Sequence, residues 1–115
     1  MTDPRTLELL RDMREYAQHA MDFLAGKSVT DVQTDRMLLF ALNRAVEIVG
    51  EAASKIDPAV RGGPPGIPWR EAIDMQNLLI HGYHRVRADY VYKTVRDDFP
   101  PLIAELDATL GTLTP

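Results

Sequence analysis

The stretch DRMLLFALNRAVEIVGEAASKI, residues 35–56, decides the fold class. Leu38, Ala41, Leu42, Ala45, Ile48, Val49, Ala52 and Ile56 recur at steps of three and four, which is one stripe of an α-helix, and Met37, Leu39, Phe40, Val46 and Ala53 widen that stripe. A helix apolar on more than one side is central in its domain or sits at a subunit interface. Arg44 interrupts the apolar run, with Glu47 and Glu51 three and seven residues later. Two readings stand for it: a salt-bridged or interface charge, and a cation lining a cleft.

Upstream, Leu7, Leu10, Met13, Ala17, Ala20 and Leu24 predict a first amphipathic helix that ends near Gly26. Downstream of residue 56, Asp57-Pro58 and the Gly62–Pro68 stretch cannot continue a helix, because proline lacks the donor and glycine weakens propensity. Pro68 suits the first turn of a third helix, Trp69 to about His81, that closes at Gly82. Val91, Val95, Phe99, Leu102, Leu106 and Leu110 predict a final helix, which Pro100-Pro101 should kink or divide in two. No segment alternates with period two, so the expectation is an all-α antiparallel helical bundle forming a single domain over residues 1–115.

Composition sets outer limits on function. The chain is 45% hydrophobic and 26% charged with a formal net charge of -4, a balance that argues against a surface coating nucleic acid generally. Any RNA site must be local, and no DNA partner is expected. The N-terminus lacks the basic-then-apolar order of a signal peptide, and the longest apolar run, Met37–Leu42, is too short to cross a bilayer. The expected location is therefore cytoplasmic, with no membrane partner. With no cysteine, thiolate metal sites and a cysteine nucleophile are excluded. Gly62-Gly63-Pro64-Pro65-Gly66 has no lysine after it and is not a phosphate-cradling loop.

The chemistry-bearing residues collect in DMQNLLIHGYHRV, residues 74–86. Helical spacing sets Asn77 and His81 on one face, and Gln76 and Tyr83, seven apart, share a stripe if the helix persists. An imidazole titrating near neutrality can move a proton to or from an RNA 2′-hydroxyl or leaving oxygen, and Tyr83 can orient a phosphate or accept a modification. The plainer readings are that His81 caps the helix or packs at an interface and that Tyr83 packs with its hydroxyl in water. His81 and His84 flank a glycine with no further histidine or cysteine near, so no metal site is expected. His84, Arg85 and Arg87 form a compact basic patch, followed by Lys93 and Arg96; Asp89, Asp97 and Asp98 lie close enough to balance it.

Three stretches, RAVEIVGEAASKI, IPWREAIDMQNLLIHGY and VYKTVRDDFPPLIAEL, together resemble the HepT-like toxin family of the HEPN superfamily in order and spacing. That resemblance implies a homodimer of all-α bundles with a cleft between subunits. It implies metal-independent RNA cleavage without a cofactor, as the toxin of a type VII toxin–antitoxin system. The partner it implies is a minimal nucleotidyltransferase antitoxin that transfers AMP to a tyrosine. The family motif is an arginine, four to six residues, then a histidine, commonly extended by any residue and a tyrosine. On this chain the histidine is His81, the tyrosine Tyr83 and the polar residue after the arginine Asn77, while Gln76 stands where the arginine is typical. Arg87 stands where an aspartate is common, making that loop more basic, and Arg44, Arg85 and Arg87 are candidate phosphate or RNA contacts. Two classes of function follow: an endoribonuclease toxin, and a non-catalytic HEPN module that binds RNA, nucleotide or its nucleotidyltransferase. Gln76 points to the second; Asn77, His81 and Tyr83 point to the first.

Overall fold

A computed structural model describes residues 3–56 and 87–113. Helix α1 runs Pro4–Leu24, α2 Val29–Thr34, α3 Arg36–Lys55, α4 Ala88–Lys93 and α5 Phe99–Leu113, with a π-helical turn, Thr94–Asp98, joining the last two. No strand occurs among the described residues, as the all-α expectation requires.

Local chemistry sets each boundary. Asp3 caps α1 by accepting from the Arg5 N–H at 3.1 Å, and Pro4 occupies the first turn, where its missing donor leaves nothing unsatisfied. The helix stops at Leu24, and Gly26 takes the left-handed conformation (φ 74°) that other residues adopt at a steric penalty. Asp35 caps α3 with one carboxylate oxygen, which accepts from Met37 N–H at 3.1 Å and Leu38 N–H at 3.2 Å. The long periodic helices thus fall where their spacing predicts them.

Helix α2 has no counterpart in the periodicity, because six residues are too few to show a stripe. Its signal is a capping box: Asp31 N–H donates to Ser28 Oγ at 3.2 Å, and Ser28 N–H donates to Asp31 Oδ2 at 2.8 Å. The Ser28 backbone hydrogen bond, then its hydroxyl, hold the Asp31 carboxyl below the usual carboxylate range.

Pro100 and Pro101 do divide the final helix, and the device is the π turn. Phe99 N–H reaches back to Thr94 C=O, five residues away rather than four. The wider turn gives room where each proline ring would press on the carbonyl four residues earlier, and α5 then starts with both prolines in its first turn.

Among the described helices, α1 packs against both α3 and α5. One groove brings Leu9 and Asp12 beside Ala52 and Lys55, and the next brings Phe23 beside Ala41, so α1 and α3 run antiparallel. Met21 and Leu24 lie beside Val95 and Pro100 while Arg14 meets Asp107, so α1 and α5 are antiparallel too. The core between them holds Leu10 and Met13 from α1, Leu42, Val46 and Val49 from α3, and Val91, Val95, Phe99, Leu102 and Leu106 from the C-terminal helices, all essentially inaccessible to solvent.

Candidate functional site

Most of the sequence-predicted site falls outside the described residues. Gln76, Asn77, His81, Tyr83 and Arg85 all lie in the 57–86 stretch, as does the third helix expected from Trp69 to His81. The two remaining candidates, Arg44 and Arg87, are described and sit on different elements.

Arg44 lies on the outer side of α3, mostly exposed, and its Nη1 donates to Glu47 Oε2 at 3.2 Å. The other carboxylate oxygen of Glu47 accepts from Asn43 Nδ2 at 2.9 Å, so a short chain Asn43–Glu47–Arg44 runs along the helix. Arg44 is ion-paired, and it also lines the groove between α1 and α3 beside Tyr16 and Ile48. Asn43 Oδ1 is buried with no hydrogen-bond partner among the described residues, an acceptor that the apolar pattern of the helix gave no reason to expect.

Arg87 immediately precedes α4, and its Nη2 donates to Asp89 Oδ2 at 3.0 Å. That bond raises the guanidinium above its ordinary value and holds the Asp89 carboxyl below its own. Arg96 repeats the arrangement with Asp97 at 2.8 Å, and its guanidinium also lies 5.3 Å from the centre of the Tyr92 ring. Among the described residues of the patch, Arg87 and Arg96 are thus each paired with a carboxylate, with which a phosphate approaching either has to compete.

Periodicity alone did not single out a second feature. Tyr16, His19 and Phe23 form an aromatic ladder on α1, with Tyr16 and His19 edge to face at 5.6 Å and His19 and Phe23 stacked at 6.2 Å. Their steps of three and four residues were legible beside the Ala17–Ala20 stripe, which leads to the core one position away. The ladder borders a groove of about 220 Å³ closed on the other side by Ala41, Arg44 and Ile48. Phe23 (44%), Met37 (83%) and Phe40 (54%) stay exposed around it. Among the described residues no group of three His, Asp or Glu is placed to hold a metal ion, and no helix is long and apolar enough to cross a membrane.

A family model described as Ribonuclease HepT-like matches residues 13–109. The chain belongs to the HepT-like ribonuclease family. This HepT-like chain is similar to the "Probable ribonuclease HepT" of Thermococcus cleftensis, 36% identical over 95 residues that cover 83% of the chain and 86% of the relative. A Methanocaldococcus jannaschii protein whose name proposes an RNase is 31% identical over 98 residues, covering 85% of the chain and 90% of the relative. One from Caldanaerobacter subterraneus subsp. tengcongensis, similarly named, is 30% identical over 100 residues, covering 81% and 89%. No solved structure matches the chain significantly. The family match spans Arg44, Gln76, Asn77, His81, Tyr83 and Arg87, and the all-α bundle is the fold of the HEPN type that the resemblance implies.

Proposed function

We propose that this HepT-like chain is a ribonuclease that acts as a toxin and works as a homodimer. A cognate minimal nucleotidyltransferase neutralises it by transferring AMP to Tyr83. The observation that carries this reading is the family match over residues 13–109, a span that contains the His81-Gly82-Tyr83 sequence. In this account the RNA 2′-oxygen bonds to the adjacent phosphorus as the P–O5′ bond breaks, leaving a cyclic phosphate and a 5′-hydroxyl, and His81 moves a proton from the attacking hydroxyl or to the departing oxygen. Charge then concentrates on the phosphoryl oxygens, where a guanidinium would donate two charge-assisted hydrogen bonds and Gln76 donates one neutral one. An AMP group on Tyr83 would add a bulky anion that repels RNA phosphates.

Gln76 also supports a second reading, a non-catalytic HEPN module that binds RNA, nucleotide or the nucleotidyltransferase. A salt-matched cleavage assay on RNA without divalent metal separates the two. Gln76→Arg should cleave about a hundredfold to a thousandfold faster than the chain as it stands, the effect of restoring roughly 2.7–4 kcal/mol of transition-state stabilisation, and adding His81→Ala should abolish that gain. If neither the glutamine nor the arginine form cleaves, the binding reading replaces the enzymatic one. Co-expression with the nucleotidyltransferase should add mass in AMP units to the chain and none to Tyr83→Phe.

A further inference from the structure

The C-terminal end of α1 and the π turn meet at a cavity of about 220 Å³. Met21, Leu24, Val95 and Pro100 supply apolar walls, with Lys27 and Arg96 among the other lining residues. We infer that this cavity binds a free apolar α-amino acid. Its aliphatic side chain packs on the apolar walls, its carboxylate meets Lys27 and Arg96, and its ammonium donates to backbone carbonyls that the two helix breaks leave without a donor. The inference goes beyond the ribonuclease reading and uses none of the residues on which that reading rests.

A helix carbonyl points along the axis toward the residue four ahead, whose N–H ordinarily takes it up. Pro100 and Pro101 carry no N–H, so the Arg96 C=O has neither an α-helical nor a π-helical donor. Phe99 N–H, the α-helical donor to Val95 C=O, reaches Thr94 C=O instead, and the π-helical donor to Val95 would be Pro100. The end of α1 repeats the pattern: Ala25 N–H, the ordinary donor to Met21 C=O, reaches Asp22 C=O at 3.3 Å. Met21 with Ala25, and Arg96 with Pro100, line the cavity in pairs, so a carbonyl aimed from the first of each pair toward the second runs along its wall. Acceptors left unserved at the negative end of a helix favour a cationic donor. Helix α1 has no basic residue in its last turn to supply one.

Side chains answer the other charge of the ligand. Lys27 is anchored beside the left-handed Gly26 by its own N–H, which donates to Leu24 C=O at 2.9 Å. Its ammonium makes no ion pair among the described residues and acts on Asp31 only across a distance. The neighbouring carboxylates are engaged elsewhere: Asp31 with Ser28, Asp22 with Gln18, and Asp97 with Arg96, with Lys93 also acting on Asp97. Lys27 is therefore open to a carboxylate, and Arg96 shares its guanidinium. A nucleobase is the poorer occupant, because Tyr92 is the one ring lining the cavity and Arg96 already lies 5.3 Å from its centre. The volume holds about seven waters at roughly 30 Å³ each, the scale of one small molecule. Apolar walls with a few convergent polar groups are the make-up of small-molecule sites.

Isothermal titration calorimetry on the full chain tests it, with circular dichroism as the control for folding. L-leucine should bind with a Kd below about 1 mM. Isocaproate, which lacks the ammonium, and isoamylamine, which lacks the carboxylate, should each bind at least about tenfold more weakly, and glycine more weakly still. Lys27→Gln should weaken leucine about tenfold and leave isoamylamine unchanged. Pro100→Ala returns a donor to the Arg96 C=O and should weaken leucine and isoamylamine but not isocaproate. Ala25→Phe should fill the cavity and abolish binding. No heat of binding with leucine at about 10 mM overturns the site. Equal affinity for leucine and isocaproate overturns the role given to the carbonyls, and binding that survives Ala25→Phe overturns the cavity. These titrations involve no RNA cleavage, so their failure leaves the ribonuclease reading standing, and failure of the cleavage assay leaves this site standing.

Discussion

Two ladders of side chains climb helix α1 next to each other and end differently. On the side facing α5, Arg14 donates to Gln18 at 3.4 Å, Gln18 donates to Asp22 at 2.9 Å, and Arg14 ties the ladder across to Asp107 at 2.9 Å. On the side next to α3, Tyr16 and His19 meet edge to face and His19 and Phe23 stack, and the three line an open groove with Ala41, Arg44 and Ile48, Tyr16 half-buried against the core and Phe23 exposed. The polar ladder closes a seam within one chain, with a rim of hydrogen bonds around a dry core. The aromatic ladder reverses that order, placing rings where a finished surface carries charge.

Substitutions should separate the two sides most clearly through stability. Leu106→Ala, at the closed seam, should lower unfolding free energy by about 2–5 kcal/mol through the cavity it leaves, with no change in oligomeric state. Phe23→Gln, on the open side, should change the stability of the isolated monomer by less than about 0.5 kcal/mol. Urea titration of both variants, run dilute enough to avoid self-association, reads the contrast. Equal losses would mean that the open face is core after all.

A smaller effect is expected from Arg14→Gln. The Arg14–Asp107 pair is bidentate but lies at the surface, so its loss should cost no more than about 1 kcal/mol and fade as salt screens it. Thermal midpoints at low and high salt check this, and a loss that ignores salt would mean that packing of the arginine stem, rather than charge, closes the seam.

The smallest effect carries a sign. The Asp12 carboxyl is raised on folding, so its contribution to stability is fully present below the unfolded pKa of about 3.9 and is lost as pH rises through the higher folded value. Asp12→Asn should therefore stabilise the monomer at pH 7 by a few tenths of a kcal/mol at a site this open to solvent, and the advantage should vanish near pH 3. Urea midpoints at pH 7 and near pH 3, run dilute enough to avoid self-association, give the sign, and an advantage that is equal at both would overturn it.

How much the sequence discloses depends on what kind of signal each element carries. Helices α1 and α3 were legible because twenty residues of period 3.6 outweigh any local exception, and Asp3, Asp35 and Gly26 mark their ends by cap chemistry. Helix α2 escaped periodicity, although Ser28 and Asp31 spell its first turn. Pro100-Pro101 announced a break, but not that the break would be a π turn placed before the prolines. For α3 the pattern showed an apolar stripe wider than one face, yet could not tell Val46, which is buried, from Phe40, which is not. That distinction depends on where α1 packs, which no local spacing encodes. Arg44 stayed open between two readings for the same reason. Of the candidate site, the motif from Gln76 to Tyr83 was legible as a resemblance, and its geometry lies outside the described residues.

The π turn has a consequence for how chains of this kind change length. Thr94–Asp98 takes up an extra residue within a helix that otherwise keeps its direction, and it keeps Val91, Val95 and Phe99 on one buried line although they are eight residues apart end to end. Deleting one residue from the turn would rotate everything after it by about 100° and swing Leu102 and Leu106 away from α1 unless the wide turn tightened to an α turn in compensation. That compensation is open only to a chain without the two prolines, whose rings need the room. The inserted residue and the proline pair are therefore coupled in any change of length: a variant can lose both and keep its core in phase, and losing the residue alone should unseat the C-terminal helix.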